Sequence, residues 1–139
     1  MIMPLGNAIN IQLLKDYIYG LVYPTVSSHV FGSYPITKDD SWNDFIVIDC
    51  NRTNDLTAIG YSTFFVQLWA RDIGTVGIEN GKKLYDMETA LTPILSSPNS
   101  ITTDYFISRR GSYDLNPKDG FHGKIIEVVV TILSNNNNN

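Results

Sequence analysis

The stretch from Ala58 to Arg71 constrains this chain more than any other. Phe64, Val66, Leu68 and Ala70 alternate there with Thr63, Phe65, Gln67, Trp69 and Arg71. A period of two sends successive side chains to opposite faces of a strand. A strand this long with bulky groups on both faces belongs near the middle of a sheet, so the rest of the chain has to supply flanking strands and a covering layer. The length of 139 residues suits one domain with one core. That domain is expected over residues 1–134. The polyasparagine tail, residues 135–139, offers no apolar surface.

Other segments supply those parts. Ile11, Leu14, Tyr17, Ile18, Leu21 and Val22 fall at helical spacing. Asn10 suits the N-cap, and Pro24 ends the helix by pushing Tyr23 out of helical geometry. Residues 25–43, with Gly32, Pro35 and a polar run at 37–41, predict a short strand around Val30 and Phe31 followed by a long exposed loop. Residues 45–50 predict a short strand with both faces largely apolar, and the Asn- and Asp-rich residues 51–56 predict a turn. Leu84, Met87, Leu91 and Ile94 mark a second amphipathic helix over 79–95. Alternation returns over 101–110 and again over 121–133, with residues 111–120 expected as the long tip of a hairpin. Neighbouring strands joined by turns favour an antiparallel sheet. The expected fold class is therefore α+β, a mostly antiparallel sheet with two helices packed on one face.

Composition narrows the function. With 43% hydrophobic and 17% charged residues the chain is built to fold. Ten Lys and Arg stand against fourteen Asp and Glu, a formal charge of -4, and the one basic cluster is the pair Arg109 and Arg110. Charge-driven nucleic-acid binding is therefore disfavoured. The single Cys50, in an apolar run, reads as a small buried residue in a reducing compartment. Residues 1–6 lack the charge and apolar length of a signal peptide, and no stretch has the length to span a bilayer. Synthesis in the cytoplasm and no membrane partner are expected.

Catalytic motifs are sparse. A nucleophile needs a base in reach, and His29 and His122 are the two histidines, neither within a motif. A zinc site with four Cys or His ligands is excluded by a total of three such residues. Asp39, Asp40 and Asp44, and Asp49 with Asp55, could bind a divalent cation or work as acid and base, yet solvated loops account for them. Gly74, Gly77 and Gly81 precede a helix without completing a phosphate-binding motif. No catalytic residue, cofactor or metal is expected. What remains is aromatic surface: Tyr34, Trp42, Phe65, Trp69, Tyr113 and Phe121 fall on loops or on the sheet face opposite Phe64, Val66 and Leu68. With Arg71, Arg109 and Arg110 they have the composition of a protein interface. A second layer covering both sheet faces is the alternative.

The order of elements resembles a known family. The helix ending in Leu21-Val-Tyr-Pro24, the strand Phe45-Ile-Val-Ile-Asp49 and the strand Phe64-Phe-Val-Gln-Leu-Trp-Ala-Arg71 are similar to those of tail-terminator, or tail-completion, proteins of long-tailed bacteriophages. The helix at 83–91 and the strands at 105–109 and 124–133 continue the likeness, which rests on element order and pattern. It implies a virion structural subunit, assembled in the host cytoplasm, that forms a homo-oligomeric ring, typically a hexamer. Such a ring caps the tail tube protein and joins it to the head-side connector or stopper, with DNA passing through its channel unbound. A head-completion or stopper protein of the neck is the near alternative, and a small ligand-binding or enzymatic domain the distant one. The loops at 25–43 and 111–120 and the asparagine end depart from the family pattern.

Overall fold

The central alternation becomes the second of four long strands. The computed structural model describes residues 11–24, 26–56, 59–74, 77–95 and 105–132, with the side chains at 11–14, 50–56, 59–62, 105 and 132 outside that description. In chain order the elements are α1 (Ile11–Val22), β1 (Val30–Phe31), β2 (Asp44–Leu56), β3 (Ile59–Arg71), α2 (Gly81–Ile94), β4 (Tyr105–Lys118) and β5 (Phe121–Ile132). The five strands form one sheet in the order β1-β2-β3-β5-β4. Every junction is antiparallel except that of β1, which pairs with β2 in parallel. The expected α+β class is what the chain adopts.

Both helices lie on one face. Phe64, Val66, Leu68 and Ala70 of β3 join Ile46 and Ile48 of β2, Ile107 of β4 and Ile126, Val128 and Val130 of β5 beneath Ile18 and Val22 of α1 and Leu84, Met87 and Leu91 of α2. Burying each large aliphatic group contributes about 1.5–3 kcal/mol, which is why the period-2 faces of the strands and the helical stripes meet here. The start of α2 is set by Asn80, whose Oδ1 accepts from the Lys83 N–H at 3.1 Å. The expected N-cap Asn10, the polyasparagine tail and the buried position of Cys50 lie outside the described residues.

Two expectations need correction. Residues 51–56 are strand, because pairing with β3 (Arg52 to Thr63, Thr53 to Ser62, Asn54 to Tyr61) overrides their poor strand propensity. Residues 57–58 lie outside the described residues. Residues 111–118 are also strand: the register slips at Arg110 and again between Leu115 and Lys118. Bulges on an edge strand absorb the extra residues and tolerate Pro117, whose missing N–H is not needed there. The hairpin tip shrinks to Asp119 and Gly120, with φ of 54° and 82°, the positive values a two-residue type I′ turn requires. Residues 32–43 are exposed at most positions, as expected, yet the segment folds back so that Tyr34 and Trp42 pack half-buried against the sheet face that the helices leave open.

That fold-back makes a second, smaller core. Phe45, Val47, Trp69 and Phe121 are buried together, with Phe31, Tyr34, Trp42 and Leu115 packed against them. Phe45 stacks on Trp69 at 5.9 Å, and Phe121 and Tyr34 meet Phe45 edge-on at 5.0 and 5.5 Å, the offset and T-shaped geometries that aromatic quadrupoles favour. Gly123 makes room for it. A Cβ at that position would stand 2.7 Å from the Trp69 ring.

Candidate functional site

One end of the sheet gathers three loops: residues 32–43 before β2, residues 72–74 and 77–80 between β3 and α2, and the β4–β5 turn. Side chains fasten them to one another. Arg71, the last residue of β3, donates from Nε to the Trp42 carbonyl at 2.6 Å and from its terminal nitrogen to the Asp39 carbonyl at 3.0 Å, while its guanidinium lies 4.7 Å from the Phe121 ring centre. Lys38 and the Tyr34 hydroxyl both donate to Asp119 in the hairpin turn, at 3.0 and 3.1 Å. Those two hydrogen bonds hold the Asp119 carboxyl below the usual carboxylate range.

Asp72 is the deepest polar group at this end. Its side chain is 4% exposed. It accepts from His122 Nδ1 at 2.6 Å and from the Gly77 N–H at 2.7 Å, and its own N–H donates to the Gly120 carbonyl at 2.9 Å. Burial pushes the carboxyl up, yet the bonds from His122 and Gly77 outweigh it and hold Asp72 below its ordinary value. An ionised carboxylate can only accept, so the proton of this hydrogen bond sits on Nδ1. A carboxylate–imidazole pair is the orienting half of a nucleophilic triad. Among the described residues no Ser, Thr or Cys is hydrogen-bonded to the ring, and the pair acts as a fastening between loop and hairpin.

Beside it lies an open cleft of about 360 Å³ lined by Asn43, Arg71, Asp72, Ile73, Asn80 and Lys83. Its charges are already engaged within the chain: Lys83 pairs with Asp44 at 2.8 Å, Asp72 with His122, and Arg71 with the two carbonyls. Among the described residues no group of three or more His, Cys, Asp or Glu could hold a metal ion, and no helix is long and apolar enough to cross a membrane.

A second polar cluster sits between α2 and the sheet. Glu88 accepts from Arg109, from Ser112 Oγ at 3.0 Å and from Lys124 at 3.1 Å. Burial raises the Glu88 pKa, and the donors, Lys124 foremost, bring it below the ordinary value. The bulge at Arg110 makes this possible, because it lets Arg109 and Ser112 face the helix together while Arg110 is spilled outward.

The nine residues expected at an interface therefore divide. Trp69 and Phe121 are 4% and 1% exposed, inside the second core, which corrects their placement on an open face. Tyr34 and Trp42 are half-buried as the lid of that core, Arg71 is tied to the loop backbone, and Arg109 is engaged by Glu88. Phe65, Arg110 and Tyr113 remain at the surface. Phe65 and Tyr113 lie on the helix-free face, Phe65 level with Glu127 and Tyr113 with Ile125, while Val129 and then Phe106, level with Thr131, stand further along the same face. Phe106 is 42% and Tyr113 55% exposed. Sequence reasoning missed Phe106, Ile125 and Val129 as surface groups, although the alternation against Ile107, Ile126 and Val128 already sets them opposite the helices.

No protein-family model matches the chain, and no curated protein matches it.

Proposed function

We propose that the protein is a structural subunit of a virion, a tail terminator that assembles with copies of itself into a ring capping the tail tube and meeting the head-side connector. The observation that carries the reading is the far half of the helix-free sheet face, where Phe65, Phe106, Tyr113, Ile125 and Val129 are spread over three adjacent strands around Glu127 and Thr131, with no second layer over them among the described residues. Aromatic and β-branched side chains interspersed with polar ones at a partly exposed surface have the composition of a protein contact. The loop end is fastened by hydrogen bonds within the chain, and Arg71, Asp72 and Lys83, which line its cleft, are each engaged by other groups of the chain, as suits a structural part. The acidic balance, -4 overall, suits a channel that DNA crosses without adhering.

Light scattering on the purified chain over a rising concentration series, alone and with tail tube protein, tests this. The expected result is one ring-sized species, its formation favoured by tube protein. A monomer at every concentration, unaffected by tube protein, overturns it.

A further inference from the structure

Two surfaces on opposite sides of the subunit carry complementary groups. On the helix-free face Asp49, Phe65 and Glu127 stand level on β2, β3 and β5, so an aromatic ring has a carboxylate on either side. Asp49 is exposed, and Phe65 and Glu127 are partly so. Among the described residues neither carboxylate forms an ion pair; the Tyr113 hydroxyl donates to Glu127 at 3.4 Å. Further along β5 come Val129 and then Thr131, level with the exposed Phe106 of β4.

The second surface is on α1. Lys15, Tyr19 and Tyr23 follow one another at a spacing of four, which sets them in one row along the flank of the helix. Tyr23 continues the last turn, its N–H donating to the Tyr19 carbonyl at 2.8 Å. Both tyrosines are 40% exposed, and their rings stack at 5.1 Å. Lys15 forms no ion pair among the described residues. Ile18 and Val22 hold another side of the same helix in the core. The lengths agree: eight residues of helix from Lys15 to Tyr23 rise about 12 Å, and four residues of strand from Glu127 to Thr131 span about 13 Å.

We infer that the far half of the helix-free face is a self-association site that receives the Lys15, Tyr19 and Tyr23 row of a second copy. Lys15 lies over Phe65 between Asp49 and Glu127, where the ring and both carboxylates attract its ammonium, and the two tyrosines follow β5 over Val129 towards Phe106. The helix row and the bare face are on opposite sides of one sheet, so a chain cannot satisfy itself and the match needs a neighbour. Two bare faces packed together would set these carboxylates against their own copies, which repels. Because the contact joins two different patches it is heterologous, and it closes into a ring when the rotation closes. This inference rests on the ring reading above and names the surfaces that close it.

Light scattering over a concentration series on full-chain charge variants tests it. Lys15→Glu, and separately a face variant carrying Asp49→Lys with Glu127→Lys, should each raise the concentration needed for assembly by about tenfold or more, because each sets like charges together. All three changes in one chain should restore assembly, and Lys82→Glu, the same change of charge on α2, should leave it as in the parent. Zero-length carbodiimide coupling of the assembled parent should join Lys15 to Asp49 or Glu127, a product that requires no variant. Assembly indifferent to these changes, lost equally in Lys82→Glu, or not restored by the combination overturns the contact and leaves the ring reading standing, as does an assembled parent that yields no such coupling. A parent chain that stays monomeric overturns both.

Discussion

Gly123 offers the sharpest test of the second core. It lies on β5 in register with Trp69 on one side and Leu115 on the other. A Cβ added there would stand 2.7 and 2.8 Å from two atoms of the Trp69 indole and 3.0 Å from the Leu68 carbonyl oxygen. Carbon contacts are comfortable at about 3.5–4.0 Å, so something has to move. The indole has little freedom to do so: Phe45 stacks on it, the Tyr34 ring meets it edge-on at 5.3 Å, and its N–H donates to Gln67 at 3.0 Å. Overpacking of this kind costs about 1–3 kcal/mol. For a domain of this size that corresponds to a fall in Tm of about 3–10 °C. Calorimetry of Gly123→Ala gives the number, and the fluorescence of Trp42 and Trp69 reports whether the aromatic cluster shifted. Gly20→Ala is the matched control: its Cβ on α1 meets nothing within 4 Å, and replacing a helical glycine should gain about 0.5–1 kcal/mol. If Gly123→Ala melts with the parent and leaves the fluorescence unchanged, the packing of Trp69 described here is wrong.

Three further outcomes are expected. Asn80→Ala, which removes the cap on α2, should cost about 1 kcal/mol in urea unfolding while Asn80→Asp keeps most of it. Glu88→Ala leaves Arg109 and Lys124 half-buried without their acceptor and should cost about 1–3 kcal/mol; Asp86→Ala, which breaks an exposed pair with Lys82, should stay within about 0.5 kcal/mol. Asp39, Asp72, Glu88 and Asp119 are all stronger acids in the folded chain than in the unfolded one. The unfolded chain therefore binds more protons in acid. The stability these groups contribute is fully present above about pH 4–5 and is lost as pH falls through their lower folded values. Urea midpoints measured from pH 2 to 7 should rise across that window, and a flat profile would contradict the carboxylate contacts described.

The sheet was legible wherever side chains alternated, because burial on one face enforces a period of two. Phe64, Val66, Leu68 and Ala70 fall on the helix-covered face as read, as do Ile126, Val128 and Val130. Local composition misled where strand pairing outweighed it: Asn51, Asn54 and Asp55 look like turn residues yet lie in β2, held by a long neighbour. In Asp114-Leu-Asn-Pro-Lys-Asp119-Gly120, the turn signal was the final Asp-Gly pair, a type I′ dipeptide, and the Asn-Pro before it marks a bulge. Trp69 and Phe121 were unreadable for another reason. Their cover comes from residues 32–43, and no periodicity in that stretch announces that Tyr34 and Trp42 will turn inward. The Asp72–His122 pair joins positions fifty residues apart, a distance that only the β3–β5 register closes.

The two halves of the sheet are finished to different degrees, and that asymmetry bears on where a partner can act. At the loop end Lys38, Arg71, Asp72, Asp119 and His122 spend their hydrogen bonds on other loops of the same chain, and the aromatic groups between them are buried. Opening that end to receive a partner would break several charge-assisted contacts at once and bare Trp69 and Phe121. In the far half the helix-free face keeps Phe65 and Phe106 partly exposed. Contact there costs no internal hydrogen bond and covers apolar surface already in water. Association should therefore proceed with little rearrangement of the subunit, and the loop-end amides around Gly77 and Gly120 should exchange alike in the free chain and in the assembly. A large change at those amides on assembly would move the contact to the loop end and reverse the assignment.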